Sequence, residues 1–222
     1  MVKILYLVRH GETGGDDKRR YKGSLDVPLS EIGEEQIKRT ALTIETFIKR
    51  AYKEQKVSYL AEIHGAIQEE DPETVIYCST LKRAHRSAEI IGERLGVRPL
   101  PLSELRERSF GLWEGLSFDE IKERYPTEFD QWASNPLRFS PPQGESTLDV
   151  KRRVIPALRS ILNARKSGNI IIAAHGGVNR VIICHLAGIP LKNIFRIEQS
   201  YGCVNVIEFW RRYPVIKAIN YV

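Results

Sequence analysis

The chain has 222 residues, the upper end of one ordinary domain. Its 34 Lys and Arg outnumber 28 Asp and Glu, so the net charge of +6 suits an anionic partner; the basic residues are interspersed with acids and form no aromatic-and-basic stripe, which argues against nucleic acid. No apolar run approaches the roughly 20 residues of a membrane span, and the first falls short of the about 7 to 15 of a signal-peptide core, so the expectation is a cytoplasmic protein without a membrane partner.

In chain order, VKILYLVR (2–9) has the near-continuous apolar character of a strand buried on both faces. A polar, Gly-rich loop covers 11–29. Ser30 reads as the N-cap of a helix whose apolar face is Ile37, Ala41, Ile44, Ile48 and Ala51. Periodicity blurs over 52–72, which reads as a helical insertion, peripheral to any chemistry, inside a single domain of residues 1–222. TVIYCS (74–79) is a second strand, followed by a helix ending at Gly96 and a short strand, VRPLPL. Ser117 and Glu120 form a capping box for a short helix, and Ser146 caps a longer one that carries Pro156. NIIIAAH (169–175) is the cleanest buried strand, with a helix opening at Gly176-Gly177. CVNVIEFW and VIKAINYV finish as a hairpin turning at RRYP. Alternating strands and helices predict an α/β fold: a three-layer α/β/α sandwich with a mostly parallel sheet.

Cys78, Cys184 and Cys203 lie in apolar surroundings without C-x-x-C spacing and read as buried thiols rather than disulfides or metal ligands. His64 reads as a surface residue of the insertion, His85 as facing away from Arg83, and His185 as a packed core histidine. Trp113 is equally compatible with packing and with a pocket wall.

In open α/β sheets the ligand site lies beyond the carboxyl ends of the strands. Arg9-His10 ends the first strand, Arg83 sits in the first turn after the second, and His175 ends NIIIAA just before a helix N-terminus at Gly176. Singly, each has an ordinary structural explanation. Together they form an electropositive cradle fit for a phosphoryl group, whose oxygens guanidinium binds in bidentate fashion.

LVRHGET, YCSTLKRA, LRERSFGLWEG, GES and AAHGGVNR occur in an order and approximate spacing that resembles the histidine phosphatase superfamily, in its phosphoglycerate-mutase-like branch, over most of the chain except 52–72. The resemblance implies that His10 is the nucleophile that becomes phosphohistidine. It implies that Arg9, Arg83 and His175 bind phosphate, and that Glu107 is the proton donor. It implies substrate contacts from Thr13, Arg20, Lys22, Gly23 and Gly176. An attacking imidazole must keep one nitrogen neutral and have the other held as a donor. Arg9, Arg83 and, if it is protonated, His175 would offset charge on the transferring group. No cofactor or metal is expected.

The same pocket serves two activities. A phosphatase gives the phosphoryl group to water, and a mutase returns it to another hydroxyl. The short run from GLWEG to PPQGEST and the short tail look like the phosphatase type, and IEQSYGCVNVIEF resembles the α-ribazole phosphatases. The expected function is metal-independent phosphomonoester hydrolysis on a small-molecule substrate. A cofactor-dependent phosphoglycerate mutase and a non-catalytic phosphate-binding regulatory module are the alternatives. The C-terminal strands and the insertion each offer a surface for a homo-oligomer. One departure stands out: where the family pattern has Trp-Asn after the nucleophile, this chain has Gly15-Asp16. Asp16 is expected to turn from the phosphate toward Arg19 or Arg20, since a like charge at 4 Å costs about 4 kcal/mol at an effective dielectric near 20.

Overall fold

The structure, a computed structural model, describes residues 3–14, 20–57, 73–164, 168–210 and 213–222. In chain order these form β1 (Lys3–Arg9), α1 (Glu31–Val57), β2 (Thr74–Ser79), α2 (Lys82–Leu95), β3 (Pro99–Leu102), α3 (Phe118–Arg124), α4 (Pro126–Ser134), α5 (Thr147–Asn163), β4 (Gly168–Ala174), α6 (Gly176–Leu186), β5 (Val204–Trp210) and β6 (Tyr213–Tyr221). The six strands make one sheet in the order β3-β2-β4-β1-β5-β6. The pairs β1–β4, β2–β4 and β2–β3 are parallel, whereas β5 runs antiparallel to both β1 and β6. The α/β fold is therefore as expected, with a mostly parallel sheet and an antiparallel edge.

Side chains along a strand alternate between faces, so a strand covered on both sides must be apolar throughout. In β1, Leu5 and Leu7 pack with Val154 and Leu158 of α5 and Val178 and Ile182 of α6. Ile4, Tyr6 and Val8 pack on the opposite face with Ile37, Ala41 and Ile44 of α1 and Ala88 and Ile91 of α2. In β4, Ile170 and Ile172 face the first layer, and Ile171 and Ala173 the second. Each such Leu or Ile removed from water contributes about 1.5–3 kcal/mol. That burial locks β1 and β4 side by side, with Arg9 paired to Ala174 in register. Their carboxyl ends thus open at one place.

Local signals hold well. The Ser30 hydroxyl accepts the Gly33 N–H at 3.0 Å at the start of α1. Ser117 with Glu120 and Ser146 with Asp149 form complete capping boxes, and α2 ends at Gly96 with φ +69°. Gly11 is required by close approach: a Cβ there would lie 2.2 Å from the Gly33 carbonyl oxygen. The loop leaving β1 therefore runs directly against the start of α1.

Three readings need comment. α1 does not end near Ala51 but continues through Val57, six residues into the expected insertion; 58–72, with His64, lies outside the described residues. His185 is exposed at the last turn of α6 rather than packed in the core, because the apolar face of that helix is carried by Val178, Val181 and Ile182. Trp113 is a packing residue: it is 2 % exposed and stacks on Phe139 with ring centroids 5.5 Å apart, in a satellite cluster with Ile121 and Phe129. The hairpin turn at 211–212 and the Gly15-Asp16 loop, with its Arg19, also lie outside the described residues. All three cysteines are free and buried.

Candidate active site

The carboxyl ends of β1, β2 and β4 surround a pocket of about 320 Å³ lined by Arg9, His10, Arg83, Glu107, Gly176 and Gly177, among others. His10 follows β1 directly. Its Nδ1 lies 2.7 Å from the Gly11 carbonyl oxygen, an acceptor only, so Nδ1 carries the proton and Nε2 keeps its lone pair. Arg83 Nε donates to that Nε2 at 3.3 Å. Arg83 itself is 2 % exposed, and its two terminal nitrogens donate to the Leu25 and Gly23 carbonyls at 2.7 and 2.6 Å. The loop after β1 thus aims the guanidinium at the imidazole.

Arg9 lays its guanidinium over the Tyr201 ring, 3.8 Å from the centroid, and donates to the Gln199 carbonyl. Its Nε is buried without a protein partner among the described residues. His175 is fully buried, edge-on to His10 at a centroid distance of 5.1 Å, with Nε2 2.8 Å from the Ser79 hydroxyl. That hydroxyl also accepts the Leu81 N–H. His175 Nδ1 has no protein partner among the described residues.

Burial holds the His10 pKa well below the ordinary 6.5, and Arg83 and Arg9 lower it further. Burial likewise depresses His175, followed by His10 and the same two arginines. Both imidazoles are therefore held neutral and the cationic charge of the site comes from arginine; His175, fully buried behind His10, does not itself line the pocket. A pH dependence of stability follows. Unfolded histidine takes up a proton near pH 6.5, whereas these two remain neutral in the fold, so the unfolded state binds more protons. Stability is full above pH 6.5 and falls below it by about 1.4 kcal/mol per pH unit for each histidine. Urea melts between pH 7 and pH 5 should show this slope, and His175→Gln should remove one histidine's share. An unchanged slope in the variant would mean that His175 titrates normally in the fold.

Glu107 enters from the loop after β3. Its Oε2 accepts the Gly177 N–H at 3.0 Å and its Oε1 accepts the Arg108 N–H at 2.9 Å. The first anion at the N-terminus of α6 is therefore the protein's own carboxylate. A Cβ at Gly177 would lie 2.6 Å from Glu107 Oε1, so only glycine lets the carboxylate dock there. The backbone of this loop is clamped by Arg153 of α5. Arg153 donates to the Glu104, Arg106 and Glu107 carbonyls and forms a forked pair with Glu145, both contacts at 2.8 Å. Glu145 also accepts the Ser109 N–H at 3.0 Å.

Among the expected substrate contacts, Lys22, Gly23 and Gly176 line the pocket. Arg20 does too, but its guanidinium forks onto the Glu120 carboxylate and donates to the Gly115 carbonyl, so it braces the wall. Thr13 is corrected: it is fully buried, does not line the pocket, and its hydroxyl accepts from the Lys22 ammonium. Its place in an isolated bridge to Leu29 turns it inward. Sequence reasoning missed Tyr201, Arg180 and Arg108 on the pocket wall and Ser79 behind His175. Only Ser79 carried a readable signal, as the last residue of a strand entering the site. Among the described residues, no three His, Cys, Asp or Glu side chains cluster as a metal would require, and no helix is long and apolar enough to cross a membrane.

Comparison with known proteins agrees with this geometry. The family model for the histidine phosphatase superfamily (branch 1) matches residues 5–52 and 55–222, so the match breaks at 53–54 rather than over all of 52–72. Phosphoserine phosphatase 1 of Hydrogenobacter thermophilus is 30 % identical over 99 % of this chain and 92 % of its own length. A phosphoglycerate mutase of Schizosaccharomyces pombe is 29 % identical over 90 % of this chain and 86 % of its own. In fold, the α-ribazole phosphatase of Shigella flexneri superposes with a TM-score of 0.78 at 22 % identity, covering 98 % of this chain and 96 % of that one.

Proposed function

This chain belongs to the histidine phosphatase superfamily, branch 1, and from that premise we propose that it hydrolyses a small phosphomonoester through a phosphohistidine at His10, with Glu107 as proton donor and no metal. The observation that carries the reading is the Nδ1 contact of His10 with the Gly11 carbonyl, which leaves Nε2 facing Arg83 in the pocket. In the first step Glu107 enters protonated: Nε2 attacks phosphorus, the ester P–O bond breaks, and Glu107 delivers its proton to the departing oxygen, becoming the carboxylate that the Gly177 and Arg108 N–H groups hold. Arg83 and Arg9 offset the charge on the oxygens in transit, which is where phosphoryl transfer gains most of its rate. Ser79, already accepting from Leu81, donates to His175 Nε2, and His175 Nδ1–H is then a neutral donor beside His10. In the second step Glu107 takes a proton from water, oxygen bonds to phosphorus, the N–P bond breaks and phosphate leaves.

The test is release of phosphate from p-nitrophenyl phosphate with and without EDTA. Turnover indifferent to EDTA is expected. Loss in EDTA would sink the metal-free reading, and absence of turnover would leave only a phosphate-binding module. A mutase is the second reading, favoured by the match to a phosphoglycerate mutase along most of the chain. Conversion of 3-phosphoglycerate to its 2-isomer, dependent on 2,3-bisphosphoglycerate and faster than phosphate release, would establish it instead.

A further inference from the structure

The turn from Ser200 to Cys203 is fastened to the end of β1 through its main chain. Arg9 N–H donates to the Cys203 carbonyl at 3.0 Å, and Gly202 N–H donates to the His10 carbonyl at 3.1 Å. Gly202 takes φ +69° there, and its carbonyl accepts the Thr40 hydroxyl of α1. The Ser200 N–H donates to the Asn220 side chain on β6. These bonds set one side chain, Tyr201, against both members of the Arg9-His10 pair. Its ring carries the Arg9 guanidinium 3.8 Å from the centroid and lies 5.5 Å from the His10 ring, centroid to centroid. The ring lines the phosphoryl pocket and also a second cavity of about 100 Å³, between α1 and the ends of β5 and β6. Tyr201 is the partition between the two, with Arg9 resting on it.

The separation says how the two groups meet. Carbons in contact face to face sit about 3.5–4.0 Å apart. A guanidinium standing on edge would carry its central carbon about one C–N bond, ~1.3 Å, farther from the ring. Arg9 therefore lies flat on Tyr201, and its N–H groups point sideways in a plane parallel to the ring. Hydrogen bonding does not set that plane: Nη1 donates to the Gln199 carbonyl, and Nε is buried without a protein partner among the described residues. That Nε lies 3.5 Å from the point a Cβ on Gly176 would occupy, at the pocket floor. Arg83 is held differently, by the Leu25 and Gly23 carbonyls on its two terminal nitrogens. A guanidinium serves phosphoryl oxygens by presenting parallel N–H bonds, so its plane matters as much as its charge. An aromatic face attracts the cation without using up an N–H or neutralising the charge. A carboxylate in the same place would do both.

Resting on the reading above that Arg9 serves the phosphoryl group, we propose that Tyr201 is a positioning residue, whose ring face fixes the plane of the Arg9 guanidinium so that its N–H groups meet the oxygens in transit. Tyr201 takes no part in bond making and acts through Arg9.

The test is a double-mutant cycle of Tyr201→Met with Arg9→Met, read in kcat/KM on p-nitrophenyl phosphate and, by calorimetry, in the affinity for inorganic phosphate. The main-chain bonds of the turn do not depend on the ring, and methionine fills much of its space; Tyr201→Leu is the second apolar replacement. With Arg9 present, loss of the ring face should lower kcat/KM roughly tenfold, a barrier change of about 1.4 kcal/mol. In the Arg9→Met background the same substitution should cost less than about twofold, because no fork is left to orient. Tyr201→Phe keeps the face and should recover activity to within about threefold of the intact protein. Equal losses in the two backgrounds would show that Tyr201 only supports the wall or acts through His10, and would overturn the proposal. So would a Tyr201→Phe protein as impaired as Tyr201→Met, which would assign the effect to the hydroxyl. The two measurements separate the levels of the argument. If p-nitrophenyl phosphate is not hydrolysed, the hydrolase reading falls and the phosphate cycle still decides on Tyr201; if it is hydrolysed and both cycles are additive, only the role of Tyr201 falls.

Discussion

The His10→Ala protein is expected to lose roughly 10⁴-fold or more in kcat/KM on every phosphomonoester, because removing a covalent nucleophile removes the route itself. Rapid quenching of the intact protein with labelled substrate should trap an adduct that is labile in acid and stable in base, as a phosphorus–nitrogen bond on imidazole is. The adduct should be absent from the variant. The choice of His10 over its neighbour rests on partners: His175 Nε2 is engaged by Ser79, whereas among the described residues His10 Nε2 meets only the Arg83 guanidinium, which a phosphoryl oxygen can also accept from. The His10 side chain is 6 % exposed and lines the pocket, so truncation enlarges an existing cavity and Arg83 remains held by the Leu25 and Gly23 carbonyls. The variant should therefore still bind inorganic phosphate. Label retained in His10→Ala would move the nucleophile elsewhere.

Glu107→Gln should separate substrates by their leaving group. An alkoxide is a poor leaving group and needs a proton as the ester bond breaks, so alkyl phosphates should lose roughly 10²–10⁴-fold. p-Nitrophenolate leaves without a proton and should lose less than about tenfold, a barrier change under roughly 1.4 kcal/mol. The amide also disturbs the resting geometry. Both carboxylate oxygens accept backbone N–H groups, from Gly177 and Arg108, and an amide nitrogen cannot replace one of them. That cost, about 1 kcal/mol, falls equally on both substrates, so the ratio between them isolates proton transfer. Equal losses would show that Glu107 only shapes the pocket.

What could be read along the chain was of short range. The β1 and β4 runs announced strands buried on both faces, and the capping boxes at Ser117 and Ser146 are contacts three residues apart. Arg9, His10, Arg83 and His175 stood out because a buried strand gains nothing from a polar residue at its end unless something meets it there. His185 misled because a run of apolar neighbours on a helix does not say which angular position faces the core. Thr13 misled differently: it is close in sequence to pocket residues, yet it is fully buried and its hydroxyl is held by Lys22, whereas Arg20 does line the pocket with its guanidinium held by Glu120, a hundred residues away.

The sequence by itself determined the strand–helix alternation, the parallel sheet and the four residues gathered at its carboxyl edge, since these follow from hydrophobic period and local capping, which neighbours within a few residues decide. The tertiary structure alone decided what those residues do to one another. The protonation of His10 depends on its burial beside Arg83, 73 positions away; Arg9 is held by the Gln199 carbonyl, 190 positions away; Glu107 docks on Gly177, 70 positions away. Hydrogen bonds and buried charges act over a few ångströms of space rather than over chain length, so the contacts among Arg9, His10, Arg83 and Glu107 exist only once the sheet has brought its strand ends together.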